Sequence, residues 1–184
     1  TSINSSTPGT GALLTTPADG GPDGVADAYL SIKDDTGGFN SVVFSSAFTG
    51  DLSAADGIRF LSFDYIELIG GNGNFVPAFG TVTISSGSTS VSTDFVADDP
   101  TTAWQTASVL LSAGSFGTDQ ATWESVLSNV TEISLLTESR FGVTETTGID
   151  NVAISPIPLP AGGALLLGAL GFMGLRRLRQ GAAA

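Results

Sequence analysis

The sequence has 184 residues, of which 24 are glycine and only 13% are charged, and its formal net charge is −12. All 18 acidic residues precede Ser155, where they face only three basic ones, Lys33, Arg59 and Arg140. A body this acidic is repelled by phosphate backbones, so we expect no nucleic-acid binding and an attraction to cations or basic partners. Helix-forming Lys, Glu and Arg are scarce, whereas Val, Ile, Thr and Phe recur between Gly-rich turns, which favours an all-β fold.

Catalysis has few candidate groups, because the sequence contains no histidine and no cysteine. This closes the Ser-His-Asp and Cys-His routes and the His-based zinc sites. A pair of carboxylates can hydrolyse glycosides, but nothing in the sequence brings one pair together, so we expect a protein that is not an enzyme. Because the chain begins with Thr1 and lacks cysteine, we expect an exported bacterial protein whose signal peptide was removed or left out.

The predicted elements divide the chain into three parts. Residues 1–27 are a polar segment with room for a first edge strand, and residues 28–155 carry short strands separated by Asp-Gly, Gly-Gly and Gly-Asn turns. The predicted strands cover residues 28–34, 41–48, 58–69, 80–85, 90–96, 104–111, 132–139 and 148–154. One helix is predicted at residues 119–130 with Thr118 as its cap, and a short turn at residues 51–57. Strands of this length and spacing predict a two-sheet β-sandwich.

Residues 156–184 differ sharply from the rest of the chain. The proline motif Ile157, Pro158, Leu159, Pro160 and Ala161 cannot lie inside a helix, and residues 161–175 contain no charged residue. As a helix, residues 157–175 would span about 28 Å, which is the thickness of a bilayer core. Arg176, Arg177 and Arg179 follow, and the positive-inside rule keeps them in the cytoplasm. We therefore predict a C-terminal transmembrane helix that leaves the acidic domain on the far side of the inner membrane.

This order of proline motif, Gly/Ala/Leu span and arginine cluster resembles the PEP-CTERM class of sorting signals in its VPLPA-like variant, with Ile157 in place of the usual valine. The resemblance covers roughly the last thirty residues. It implies export to the surface or extracellular matrix of a Gram-negative bacterium that makes exopolysaccharide, and recognition by an exosortase-type membrane protease that cleaves near the proline motif. The alternative is a span that stays in place as a permanent anchor.

Residues 28–155 resemble the laminin B (laminin IV type A) domain. The matching pieces are Trp104 and residues 29–35, 48–57, 61–64, 126–130 and 148–152. The segment around Ser139, Arg140 and Phe141 departs from the family pattern, and the first 27 residues match poorly. The resemblance implies a jelly-roll sandwich like that of galactose-binding-like and carbohydrate-binding modules, a fold that assigns no ligand by itself.

Two groups of acidic residues in the sequence are considered as cation ligands. Asp19, Asp23 and Asp27 lie in one Gly/Pro-rich loop, and related sandwiches hold a structural Ca²⁺ between the first loop and an aspartate of the last strand, here Asp150. Closely set carboxylates repel one another unless a cation joins them, so these four residues are the candidate Ca²⁺ ligands. The alternative is a solvated acidic loop. The second group, residues 34–35 and 98–99, is interpreted as turn and surface residues.

The aromatic residues of the body are interpreted as core residues and not as a sugar-stacking platform. They are Phe60, Phe63, Tyr65, Phe75, Phe79, Phe95, Trp104, Phe116 and Trp123. The sequence thus predicts a structural or adhesive protein of the cell surface or matrix. Two alternatives stay open: a carbohydrate-binding module that retains exopolysaccharide, and a subunit that assembles with its own copies into a surface layer or fibre.

Overall fold

Two antiparallel sheets of five strands each face one another in the computed structural model, which describes residues 2–5, 13–35, 39–44, 46–96 and 99–157. Sheet A has the strand order β1-β4-β9-β6-β7, and sheet B has the order β2-β3-β10-β5-β8. The strands are β1 (Ser2–Ser5), β2 (Leu13–Thr15), β3 (Leu30–Asp34), β4 (Asn40–Val43), β5 (Arg59–Ile69), β6 (Val82–Ser86), β7 (Thr89–Thr93), β8 (Gln105–Leu110), β9 (Glu132–Leu136) and β10 (Glu145–Pro156). The expected β-sandwich is confirmed.

The core lies between the sheets because the strands alternate buried and outward-facing residues. In β5, Leu61, Phe63 and Tyr65 are at most 3% exposed, while Ser62 and Asp64 between them point outward. The register pairs Phe63 with Ala107 of β8 and Tyr65 with Ile149 of β10, so the inward residues of neighbouring strands lie side by side. Burial of this apolar face against the other sheet is the main source of stability in such a fold.

The aromatic residues assigned to the core are mostly where the sequence placed them. Five of them are buried: Phe63, Tyr65, Phe79, Phe116 and Trp123. The other four are half-buried: Phe60, Phe75, Phe95 and Trp104. Ring contacts join several of them, including the stacked pair Phe116–Trp123, whose centroids lie 4.8 Å apart.

Residues 1–27 contribute to both sheets. β1 pairs with β4 at the edge of sheet A, and β2 pairs with β3 at the edge of sheet B. Each is four residues or fewer, which is typical of edge strands. The segment therefore supplies two edge strands where the sequence suggested at most one.

The predicted helix is shorter than expected and has a different cap. α1 spans Gln120–Leu127, and Asp119, not Thr118, is its N-cap. The Asp119 carboxylate accepts hydrogen bonds from the Thr122 backbone N–H (2.9 Å) and hydroxyl (2.7 Å). The predicted apolar face is correct, since Trp123, Val126 and Leu127 are buried. Within the described residues α1 is the only α-helix, and two 3₁₀ turns accompany it at Ser46–Phe48 and Ser53–Ala55.

The last strand begins three residues earlier than predicted, at Glu145. Glu145, Thr146 and Thr147 are polar and were not predicted to be buried, yet all three are at most 7% exposed. They are buried because β10 lies in the middle of sheet B, between β3 and β5.

Of the proline motif, the structure describes only Ile157, whose backbone N–H donates to the carbonyl of Ile58 (3.1 Å). The rest of the motif, the apolar span and the three arginines lie outside the described residues. None of the described helices is long and apolar enough to span a membrane.

Candidate functional site

A β-bulge in β10 shapes the outer face of sheet B. The pairing of β10 with β5 shifts register between Asp150 and Ala153, and Asn151 lies there with a left-handed φ of 49°. A bulge bends its strand and redirects the side chains beside it, and bulges are frequent next to functional sites. Asparagine tolerates this backbone conformation better than most residues. Residues 148–152, which we call the β10 bulge, therefore form an irregular segment within β10 instead of a regular stretch of strand.

Asp64 forms a hydrogen bond with the β10 bulge. Its Oδ2 accepts a hydrogen bond from the Asn151 side-chain amide (2.8 Å), and its Oδ1 accepts one from the Thr106 hydroxyl (2.5 Å). β5 pairs with β8 on one side and β10 on the other, which places Asp64 directly between Thr106 and Asp150. Asp64 is not among the site residues predicted from the sequence. Its position between Phe63 and Tyr65 marks it as outward-facing, but only the strand order brings it beside Asp150.

The acidic loop at residues 19–27 folds on itself. The Asp23 N–H donates to Asp27 Oδ2 (2.8 Å), the Ala26 N–H donates to Asp19 Oδ1 (3.3 Å), and the Gly21 N–H donates to the Asp27 carbonyl (3.0 Å). A Cβ at Gly21 would clash with the Asp27 carboxylate, so a larger residue there would have to displace the Asp27 side chain. The loop is thus ordered partly by its own carboxylates.

Trp104 ties this loop to sheet B. Its indole N–H donates to the Gly20 carbonyl (2.9 Å), and its ring meets Tyr29 edge-on with centroids 5.4 Å apart. Both rings pack over Gly148 of β10, where an added Cβ would lie 3.1 Å from Trp104 and 2.6 Å from Ile66. Glycine at position 148 is therefore required for the close approach of the two rings.

The structure brings most of the predicted Ca²⁺ ligands to one place. The pKa of Asp150 is raised, first by burial and then by the negative charges of Asp27, Asp64 and Asp23, although the Asn151 backbone N–H partly opposes the rise. Asp150 Oδ2 is buried and has no hydrogen-bond partner among the described residues. Since Asp64 is one of the charges that raise the pKa of Asp150, we add it to the predicted ligands Asp19, Asp23, Asp27 and Asp150. The Ca²⁺ itself stays a prediction.

A cavity of about 290 Å³ opens next to the β10 bulge. Three aromatic residues line it, Tyr29, Phe44 and Phe48, together with polar residues that include Asp150 and Asn151. A second cavity of about 380 Å³ shares Phe48 and continues along β10 with Ala153 and Ile154. Apolar walls with a few polar groups are typical of small-molecule and sugar sites.

A separate group of carboxylates is buried between the sheets. Asp34, Glu138 and Glu145 are each at most 2% exposed, and one oxygen of each lies within 4.8 Å of the others. Burial, followed by the neighbouring carboxylates, raises the pKa of Glu138 to about 9; burial and the charge of Asp34 raise that of Glu145 to about 7. The interpretation of Asp34 as a turn and surface residue was wrong, because it ends β3 with its side chain on the inward face, as Leu30 and Ile32 do.

Comparison with solved structures supports the fold. An exo-β-agarase structure matches with a TM-score of 0.58 and 16% identity over 85% of this chain, which spans only 23% of that enzyme. The family 11 carbohydrate-binding module of the cellulosomal cellulase Lic26A-Cel5E of Clostridium thermocellum matches with a TM-score of 0.51 and 14% identity, over 85% of this chain and 87% of the module. At these identities the likeness shows the fold alone: a sandwich of the carbohydrate-binding-module type.

The two resemblances seen in the sequence receive less support. The L4b domain of human laminin α2 matches with a TM-score of 0.46 and 10% identity over 70% of this chain and 80% of that domain. This TM-score is too low to support a relationship between the two domains. No protein-family model matches the chain, and neither does any curated protein. The laminin B and PEP-CTERM resemblances therefore stay predictions.

Proposed function

We propose that the β-sandwich is a carbohydrate-binding domain that retains polysaccharide at the cell surface. The observation that carries this proposal is the cavity beside the β10 bulge, where the half-buried Tyr29 and Phe48 supply apolar surface and Asp150 and Asn151 supply polar groups. Sugar rings have apolar faces and hydroxyl edges, and such a lining can contact both. The likeness in fold to a carbohydrate-binding module agrees with this function.

The ligand class follows from charge. Asp150 lines the cavity, the acidic loop lies beside it, and the chain as a whole carries a net charge of −12. An anionic polysaccharide would be repelled at long range. We therefore propose neutral glycans as the ligands, with agarose, β-glucans and the host's own exopolysaccharide as the first probes.

The test is a binding titration with a matched pair of variants. Asn151→Gly removes the side-chain amide and keeps the left-handed backbone conformation, and we expect it to weaken binding about 10-fold, since each 1.4 kcal/mol corresponds to that factor. Phe141→Ala is the control, because Phe141 is exposed and lines neither cavity. Absence of binding to every neutral glycan, or equal losses in both variants, would contradict the proposal.

We further propose that the domain is not catalytic. Glu138 and Glu145 are the two acids whose pKa values are raised towards or above neutrality, as those of catalytic acids often are. Both are at most 2% exposed, so a polysaccharide cannot reach them without opening the sandwich. Incubation with the glycan that binds should release no shorter products.

The exported, surface-attached location is proposed from the sequence of the tail. An acidic body with a neutral-glycan site would then act as a structural or adhesive component of the matrix. Intact-mass measurement of the protein from its native host would test the sorting signal directly. Loss of the residues after the proline motif supports exosortase-type processing, whereas a mass that includes Arg176, Arg177 and Arg179 indicates a retained anchor.

A further inference from the structure

Three carboxylates from both sheets meet at the end of β3 that lies farther from the cavity. Asp34 is the last residue of β3 and pairs in register with Glu145, the first residue of β10, while Glu138 follows β9 of the opposite sheet by two residues. β3 has five residues, so this cluster lies about 13 Å along the strand from Leu30, which lines the cavity. The cluster is therefore distinct from the group around Asp150.

Glu138 and Glu145 have carboxylate oxygens without the hydrogen bonds that buried carboxylates need. Among the described residues, neither carboxylate oxygen of Glu145, which is 1% exposed, nor Oε2 of Glu138, which is 2% exposed, has a hydrogen bond of good geometry. The backbone N–H groups of Ser139 and Arg140 lie close enough to lower the pKa of Glu145 without filling this role. Among the described basic side chains, Lys33 pairs with Asp35 and Arg140 pairs with Glu67, so neither forms a direct ion pair with Glu138 or Glu145. Buried charges are normally paired or bound to a metal ion.

We propose that Asp34, Glu138 and Glu145 form a buried Ca²⁺ site that joins the two sheets. Ca²⁺ takes six to eight oxygen ligands at about 2.3–2.6 Å, and three bidentate carboxylates supply six. Oxygens within 4.8 Å of one another fit around one such ion. Mg²⁺ fits less well, because it holds its ligands at about 2.0–2.1 Å and keeps several waters, for which a cluster this buried has little room.

The test compares Glu145→Gln with Asp94→Asn, a matched loss of one negative charge at an exposed residue. After chelation, each protein is titrated with CaCl₂ and, separately, with MgCl₂, by calorimetry and by thermal unfolding. We expect Glu145→Gln to bind one Ca²⁺ fewer per chain than Asp94→Asn, whatever the group around Asp150 binds. We also expect the wild-type Tm to rise by about 5–10 °C when Ca²⁺ is 100-fold above its Kd.

Three outcomes would overturn the proposal: no Ca²⁺ binding by the wild-type protein, equal stoichiometry in the two variants, or an equal response to Mg²⁺. Glu138→Gln is the second variant if Glu145→Gln does not fold, and the same loss of one Ca²⁺ is expected. The site does not depend on carbohydrate binding, so its failure leaves the proposed function untouched. The titrations contain no glycan, which keeps the two results separate.

Discussion

Arg140 forms the shorter and more buried of the two ion pairs among the described residues. Its guanidinium donates to both oxygens of Glu67, at 2.5 and 2.8 Å, and Nη1 donates to the Gly73 carbonyl at 3.1 Å. It also lies 4.0 Å from the centre of the Phe75 ring. Glu67 is 5% exposed, so the pair is largely removed from water. The departure from the laminin B pattern near Arg140 thus coincides with a structural anchor.

Removing one partner of this pair should be costly. We expect Arg140→Met to lower the free energy of unfolding by about 3–5 kcal/mol, because it leaves the buried Glu67 carboxylate uncompensated. Lys33→Met is the control, since the Lys33–Asp35 pair is exposed and such pairs contribute at most about 1 kcal/mol. Urea denaturation of both variants measures the difference, and equal small losses would contradict the prediction.

The buried glutamates predict the pH dependence of the metal-free protein. The folded-state pKa of Glu138, about 9, lies above its ordinary value of 4.5, so the folded state holds this proton more tightly than the unfolded state. The stabilisation is therefore fully present below about pH 4.5 and is lost as the pH rises towards 9. In chelator, we expect the free energy of unfolding to be lower at pH 8.5 than at pH 6.

Glu138→Gln serves as the control for this pH dependence, because glutamine resembles the protonated acid. We expect its stability in chelator to vary less between pH 6 and pH 8.5 than that of the wild type. Glu145, with a pKa of about 7, should account for part of the dependence that remains. Denaturant unfolding at the two pH values measures both proteins, and a wild type that is more stable at pH 8.5 would refute the assignment.

At the scale of elements, α1 depends on its cap. Helix N-termini leave backbone N–H groups without partners, and Asp119 satisfies one of them through the Thr122 N–H. These hydrogen bonds lower the pKa of Asp119, since they favour its charged form. α1 in turn buries Trp123, whose indole N–H donates to Asp56 at 2.8 Å.

We expect Asp119→Ala to lower the Tm by about 2–4 °C, because the cap is lost while the apolar face of α1 stays intact. Asp119→Asn is the matched control, since asparagine caps helices about as well and should leave the Tm nearly unchanged. Thermal unfolding by circular dichroism measures both. A Tm in Asp119→Ala equal to that of Asp119→Asn would show that Thr118 or solvent replaces the cap.

For the whole molecule, charge should decide how salt affects binding. The protein carries a net charge of −12, so an anionic polysaccharide meets long-range repulsion that salt screens. We expect the affinity for a neutral glycan to be nearly equal at 0.02 and 0.3 M NaCl. Any anionic polysaccharide that binds should bind more tightly at the higher salt concentration. Titration at the two salt concentrations checks this, and tighter binding of an anionic glycan at low salt would contradict the neutral-glycan proposal.

Local patterns were enough to predict the class of fold and most of the core. Strand positions and inward faces could be predicted because they depend on neighbouring residues in the sequence. Examples are the alternation of apolar and polar residues in residues 61–65 and the turn residues between strands. The helix face at Trp123, Val126 and Leu127 followed from its periodicity in the same way. The strand ends were harder, because Glu145, Thr146 and Thr147 are in a strand only through the central position of β10.

Only the tertiary structure decided which carboxylates meet. Asp64 lies 86 residues before Asp150, and Asp34 lies more than a hundred residues before Glu138 and Glu145. Pairing between strands brings the members of each group together. No local pattern in a single sequence encodes this order of strands. The sequence did supply the motif around Asp150 and the tail after Ser155, because a bulge-forming Asp-Asn step and an uncharged span with an arginine cap are contiguous. Contacts between distant residues depend on how the sheets assemble, and this assembly made Asp34 a core residue.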